Sequence, residues 1–587
     1  MVAPASNSLF RILFCCFFYC ISSMLPTTSF SQLLIKNVNL VDVENKKILS
    51  GYNVLVMGDS IVSADKRMYK LPATAQVIDG TGKYLIPGLA DAHVHFSQSG
   101  SLFTRPDAID LRKYRSFATE IKWTHDHMED ILRRYLSIGV TSVIDVGSTY
   151  NFLSQRDSFA DKVYSPIIKM TGPLLTTWIP NEFKNLGNDA VFAEMLTDEG
   201  VRQSVREEIS HHADFIKIWY IVLDSNKERG ALKNLPLVKA AIDEAHKNHL
   251  KIAVHATESI TALLAAQAGA DYLVHSVDDN IVSEEFIQLL KKNNVVLCPT
   301  FVVGGNYEKT FAGIYPFTTD ELSISNPESV ASILNFPEPD TSLENRYKRY
   351  YYRNNMKAKL AHTDSIMKVN LVKLLKTGVT IATGTDAGNI GTQHAGSYFT
   401  ELKEMQNAGM DTWQLLQSST INAARSIGQQ NQWGSISKNK KANMVLLNAN
   451  PLDNLDNWRK IDLVINKGVA FKPASIIMTT PEMLVQEQLN AYNAHNLTAF
   501  ANTYADNAEI YDQPQTTASV KGKDQLIKEY DFIKNMPLLH CKLLNRIVLE
   551  NKVIDHEEIT TGGGKPMHSV VTYVVENGRI SKVYILR

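Results

Sequence analysis

The feature that most constrains this chain is a regular alternation in its middle. Eight short apolar runs are spaced by stretches of helical periodicity. The runs are Leu85–Phe96, Val140–Val146, Ile167–Met170, Phe215–Trp219, Ile252–His255, Tyr272–His275, Val295–Leu297 and Val379–Ala382. Between them, segments such as Met128–Ile138, Leu237–His246, Ile260–Ala268 and Ile366–Leu375 place apolar residues at 3.6-residue spacing. Eight strand candidates mostly separated by helices predict parallel strands joined by helical crossovers, and eight such units close into a (β/α)8 barrel. A doubly wound open sheet is the alternative, but no glycine-rich phosphate loop follows any of the runs. The segment from Gly304 to Arg353, rich in tyrosine, proline and charge, reads as an insertion after the seventh strand.

Short alternating apolar runs before and after this region, at Leu33–Val77 and Met444–Gly468, read as strands. They predict a small composite β-sandwich domain assembled from residues 32–85 and 430–473, around a barrel of residues 86–429. Beyond Pro473, amphipathic helices over Glu482–Tyr504 precede strands with turns at Glu550-Asn551 and Asn577-Gly578. Residues 480–587 thus predict a separate α+β module. Leu484, Leu489, Tyr492 and Leu497 are expected to form its own core, leaving it dispensable for chemistry.

Composition narrows the partners. Sixty basic against 61 acidic residues, with no long run of one sign, lack the electrostatic footprint of a nucleic-acid binder. A small-molecule or dipeptide substrate is the expected partner, and a homo-oligomer is open. Residues 1–31 carry Arg11 as their one charge, an apolar stretch from Ile12 to Leu25, and Ser29-Phe30-Ser31 before Gln32. This pattern predicts a signal peptide, an exported protein acting in the periplasm or secreted, and no stable membrane insertion after cleavage. Cys15, Cys16 and Cys20 fall in that segment, so Cys298 and Cys541 alone make no disulfide framework.

Chemistry is concentrated at strand ends. His93 and His95 close the first run, Lys217 lies in the fourth, His255 and His275 end the fifth and sixth, and Asp386 follows the eighth. In a β/α barrel the C-terminal strand ends meet at one mouth, and residues i and i+2 on a strand face the same side. An isolated strand-end histidine can equally be a capped core residue, and a lone lysine can snorkel. Six metal-compatible side chains in one register point instead to a site for a borderline divalent ion such as zinc.

The order His-x-His, Lys, His, His, Asp resembles the amidohydrolase superfamily, in its imidazolonepropionase-related and metal-dependent prolidase-like branch. Further matching segments are Pro87-Gly88-Leu89-Ala90-Asp91-Ala92, Ala253-Val254-His255-Ala256, Gly384-Thr385-Asp386-Ala387-Gly388 and Ser419-Thr420-Ile421-Asn422-Ala423-Ala424. Lys441-Ala442-Asn443-Met444 departs from the family's usual Gly-Lys-x-Ala-Asp. The resemblance implies two divalent ions, one held by His93, His95 and Asp386 and the other by His255 and His275. A carboxylated Lys217 would bridge them, and Asp386 would be the catalytic proton carrier. It implies a metal-dependent hydrolase cleaving a C–N amide bond in a dipeptide, N-acyl amino acid or cyclic amide. A mononuclear deaminase and a non-catalytic ligand-binding protein remain the alternatives.

Tyr220 and His394 are expected to contact substrate, and the basic, tyrosine-rich stretch Arg346–Arg353 to meet a substrate carboxylate. The C-terminal module resembles the cone-shaped fold shared by nuclear-transport-factor-like, polyketide-cyclase and steroid-isomerase proteins. The matching segments are Gln488–Asn496, Ala505–Tyr511 and Gly522-Lys523, and Asp512, His540, Asp555 and His556 are its candidate acid/base groups.

Overall fold

The computed structural model describes residues 32–336 and 341–587. The segment read as a signal peptide lies outside the described residues. All eight anticipated barrel strands form, at Leu89–Val94, Val140–Asp145, Ile167–Met170, Ile216–Trp219, Ile252–His255, Tyr272–Val274, Val296–Cys298 and Thr380–Ile381. Neighbours pair in parallel, with Ser142 opposite Ile167, Ile216 opposite Ile252 and Val296 opposite Thr380. Hydrogen bonds close the ring at two further seams. At one, Asp214 N donates to Met170 O across 2.9 Å. At the other, between the first and eighth strands, Ala92 N donates to Thr383 O across 2.8 Å, Asp386 N to His93 O across 2.7 Å and His95 N to Ala387 O across 2.8 Å.

Two short strands, Leu174–Thr176 and Phe192–Glu194, extend the sheet between the third and fourth barrel strands. At three residues each, they carry too little periodicity to be read from sequence. The crossover helices form for ordinary reasons. Glu284–Lys292, for example, is capped by Ser283, whose hydroxyl accepts from Phe286 N. It opens with two glutamates, ends on two lysines, and buries Phe286, Ile287 and Leu290.

The flanking strands assemble one sheet in the order Val469–Phe471, Ile461–Asn466, Met444–Leu447, Tyr84–Pro87, Gln32–Asp42, Lys47–Met57, Ser60–Asp65. Its antiparallel pairing of Met444 with Pro87 leads directly into the barrel. Gly88 makes that corner, because a Cβ there would sit 2.0 Å from Thr141 Oγ1.

The C-terminal residues form helices Pro481–Asn493 and Leu497–Asn502 against a six-stranded sheet, enclosing a cavity of about 490 Å³. Contrary to the expectation from sequence, the module does not keep its core to itself. Leu484, Leu489, Tyr492 and Leu497 share one apolar cluster with Phe317, Leu322, Val330 and Ile333 of the barrel insertion. An amphipathic helix shows from sequence that it has an apolar face, but not whose residues cover it. Asp555 is likewise no cavity acid. It is fully buried and paired twice at 2.7 Å with the Arg546 guanidinium.

Candidate active site

The six residues singled out on the barrel strands converge on a cavity of about 670 Å³, and all six line it. The Asp386 carboxylate is the meeting point: its Oδ1 lies 3.1 Å from both His93 Nε2 and His95 Nε2. The His275 ring centroid is 4.9 Å from that of His93 and 4.4 Å from that of His255. One ligand atom each from His93, His275 and Asp386 lie within 4.8 Å of one another.

Backbone and neighbours fix these side chains. His95 Nδ1 donates to Gly147 O at 2.9 Å, which turns Nε2 toward Asp386. His275 Nδ1 lies 2.6 Å from Thr300 Oγ1. His275 and Asp386 adopt left-handed backbone conformations, with φ of 79° and 62°. For side-chain-bearing residues such values cost energy that the surrounding structure must supply, and they concentrate at functional sites.

Electrostatics favours ligand-ready states. Burial lowers the His93 imidazole to about 4 against the pull of Asp386, lowers His255 to about 3, and drives His275 well below its ordinary value. These three rings are therefore neutral at neutral pH, the form that donates a lone pair to a cation. Burial alone would raise Asp386, but His93 and His95 hold it well below the usual carboxylate range. Lys217 is 2% exposed, and burial brings its amine down to about 7. Among the described residues, His93 Nδ1 is a buried nitrogen without a hydrogen-bond partner. Clustered neutral imidazoles, an ionised carboxylate and a partly neutral lysine suit a divalent cation in borderline N/O coordination.

Two expected substrate contacts are not there. Tyr220 is buried, its hydroxyl donating to Ala231 O at 2.6 Å. Strand alternation explains this, since Lys217 and Trp219 face the cavity and the residue after Trp219 does not. His394 stacks on Phe96, with Nδ1 3.3 Å from Tyr135 OH and Nε2 2.8 Å from Gln98 O. It ties two loops together behind the site. The Arg346–Arg353 stretch also lies outside the cavity lining: Lys348 pairs with Glu344, and Arg346 lies over the Tyr347 ring.

In their place the cavity holds Arg105, Tyr307 and Lys309. Arg105 is gripped by Asp107 and reaches Asn389 Oδ1 at 2.9 Å, as does Tyr307 OH at 2.6 Å. Asn389 Nδ2 then donates to Asp386 Oδ1 at 2.7 Å. An arginine only donates, so the Asn389 amide oxygen must face it and the NH₂ must face Asp386. Phe183, Phe192 and Trp219 form an aromatic wall, with Phe192 and Trp219 stacked at 5.0 Å.

Asp91 bolts the first strand to the eighth. Its carboxylate accepts from Thr385 N at 3.0 Å and Thr385 Oγ1 at 2.7 Å, one residue from Asp386. The Ala-Asp-Ala-His sequence carried a signal for Asp91, two residues before His93. Arg105 and Asn389 sit in loops with no periodicity to announce them.

Comparisons with known proteins agree with this architecture. The amidohydrolase family model matches residues 84–471, and a SnoaL-like domain matches residues 485–583. A 5-methylthioadenosine/S-adenosylhomocysteine deaminase from Caldanaerobacter subterraneus is 43% identical over 68 residues, 12% of this chain and 16% of that enzyme. A dihydroorotase from Carboxydothermus hydrogenoformans is 44% identical over 68 residues, 12% of this chain and 15% of that enzyme. The chain thus matches less than a fifth of the length of these curated relatives. Among solved structures, a prolidase complexed with N-methylphosphonate-L-proline superposes with a TM-score of 0.56 at 23% identity. That match covers 75% of this chain and 100% of the prolidase. Phenylurea hydrolase B gives a TM-score of 0.57 at 18% identity, over 77% and 99%.

Proposed function

The chain belongs to the amidohydrolase family, and from that premise we propose that it is a metal-dependent hydrolase cleaving a C–N amide bond. The observation that carries the reading is Asp386 set among His93, His95 and His275 at the floor of one cavity, with buried Lys217, whose amine is lowered to about 7, lining the same cavity.

His93, His95 and Asp386 would hold one divalent ion, most simply zinc, and His255 and His275 a second. Bound there, such ions supply a hydroxide of lowered pKa and polarise a carbonyl. Lys217 has the partly neutral amine that addition of carbon dioxide requires, and as a carbamate it would bridge both positions.

The protein's own groups supply the rest. Water's oxygen forms the new C–O bond as the amide C–N bond breaks. Asp386 takes up the water proton and returns it to the departing nitrogen. Asn389, locked by Arg105 and Tyr307, orients that carboxylate through Oδ1. The aromatic wall of Phe183, Phe192 and Trp219 fits an apolar acyl group or ring, and Lys309 adds positive charge to the same lining, whereas Arg105 lies over Phe183 and is paired with Asp107. This combination favours a dipeptide or an N-acyl amino acid over a neutral lactam.

A one-ion deaminase is the second reading, favoured by the one close group found among the described residues, His93, His275 and Asp386. Metal stoichiometry separates the two, and so does product analysis on dipeptides, N-acyl amino acids and lactams. Two ions per chain with amide cleavage support hydrolysis, whereas one ion with ammonia release overturns it.

The proposal includes export with cleavage near Gln32, supported by the apolar, nearly uncharged start of the chain. Among the described residues, no helix is long and apolar enough to cross a membrane. N-terminal sequencing of the mature protein tests this, and a chain still starting at Met1 would contradict it.

A further inference from the structure

The short helix Pro327–Leu334 lies between the C-terminal module and the barrel mouth, and its two sides do different work. It starts cleanly, with Asn326 as cap and Pro327 in the first turn. Val330 and Ile333, one helical turn apart, are buried in the apolar cluster that contains Leu484, Val485 and Leu489 of the module. Asn490 of the module donates to Pro327 O at 2.7 Å in a buried hydrogen bond.

Ser329 and Ser332, also one turn apart and offset by one residue from the apolar pair, face the barrel. Ser332 Oγ accepts from Leu102 N at 3.0 Å. Ser329, 2% exposed, has its Oγ 2.9 Å from Ser99 O and 2.7 Å from Gln393 Oε1, so its one proton is shared between two acceptors. Those acceptors belong to the two loops that follow the first and eighth barrel strands. Gln393 Nε2 in turn donates to Gly100 O at 2.9 Å, and Gly100 N donates to Gly388 O at 2.8 Å. Ser99 is four residues past His95, and Gly388 is two past Asp386.

We infer that the C-terminal module is part of the active-site scaffold: it presses the Pro327–Leu334 helix onto the two loops that carry His95 and Asp386, and Ser329 is the positioning residue at that contact. The module therefore supports the site without lining the catalytic cavity. The inference rests on the metal-site reading only for what the loops hold, and not for the contact itself.

The test uses the full chain as Ser329→Ala, Asn490→Ala and Ser329→Thr. Asn490→Ala acts from the module side, some distance from the barrel loops, and Ser329→Thr restores the hydroxyl. Amide exchange of the loops at residues 97–102 and 388–397 is the first readout. The second is the rate at which EDTA strips zinc from the loaded protein. Both alanine variants should exchange about fivefold faster in these loops, the effect of one lost hydrogen bond on local opening, with Ser329→Thr near wild type. Zinc release should quicken in step.

A merely structural contact would lower the melting temperature without selectively loosening these two loops. Loop exchange unchanged in both alanine variants would overturn the inference. If the wild-type protein retains no zinc, the metal reading fails instead, while loop exchange still decides the role of Ser329.

Discussion

An alanine at Gly384 would place its Cβ 2.6 Å from Cys298 Sγ, 2.6 Å from His93 Cβ and 2.7 Å from His93 N. Ordinary contact begins at 3.4 Å. The shortfall of about 0.8 Å falls on both sides at once, so the new methyl cannot escape one neighbour without striking the other. Overpacking of this kind costs about 1–3 kcal/mol. At roughly 2 °C per kcal/mol for a large domain, the melting temperature should fall by about 2–6 °C.

The chemical loss should be larger than the loss of stability. His93 must move along its own backbone, and a shift approaching ~1 Å in a reacting group costs on the order of 10²-fold in rate. Gly384→Ala should therefore lose at least ~10-fold in zinc affinity or turnover while remaining folded at 25 °C. Differential scanning calorimetry and elemental analysis after dialysis read the two effects separately. Adding Cys298→Ala removes the Sγ contact alone, so it should recover part of the stability and little of the metal binding. Wild-type metal retention in Gly384→Ala, or full recovery of both properties in the double variant, would refute the reasoning.

Other consequences are as direct. Asp386→Asn keeps an oxygen ligand but no proton acceptor, so most of the metal should stay while kcat falls by ~10²-fold or more; wild-type kcat in the loaded variant would remove Asp386 from proton transfer. Burial pushes the Glu208 carboxyl up to about 8, although Thr171 Oγ1 and Gly172 N donate to it at 3.0 and 3.1 Å. The unfolded chain releases that proton near 4.5, so the folded state binds it more tightly in between, and stability should fall as pH rises from about 4.5 to 8. Glu208→Gln should flatten that part of the melting-temperature profile, and an unchanged profile would contradict the assignment. Asp555→Ala strands a buried Arg546 charge and should destabilise the module by about 3–5 kcal/mol, read in urea unfolding; a loss below ~1 kcal/mol would show the pair to be solvated.

The barrel and its six convergent polar residues were legible because both obey a period. Strand-end positions recur with each β/α unit, and alternation along a strand decides which neighbours share a side. The same rule, applied to Tyr220, would have turned it away from the cavity: Lys217 and Trp219 already claim the inner face.

What stayed hidden lies in loops and at contacts between distant segments. Arg105, Tyr307 and Asn389 come from three separate loops or insertion elements, and only the folded chain joins them into one chain of hydrogen bonds. Basic charge near Arg346–Arg353 was visible, but charge in a helix says nothing about where its face points, and Lys348 is spent on Glu344. The shared core of the module and the insertion was hidden for the same reason, since Leu322, Val330 and Leu489 each read as local amphipathicity.

The central claim is that zinc held by the barrel histidines, Lys217 and Asp386 drives amide cleavage. Its most direct test is hydrolysis of a panel of dipeptides and N-acyl amino acids, titrated with zinc after the protein has been stripped by a chelator. Activity should vanish on stripping and return in proportion to added zinc up to about two equivalents per chain, with Lys217→Ala failing to recover. Cleavage that survives stripping, or a protein that takes up two equivalents and cleaves none of the panel, would contradict it.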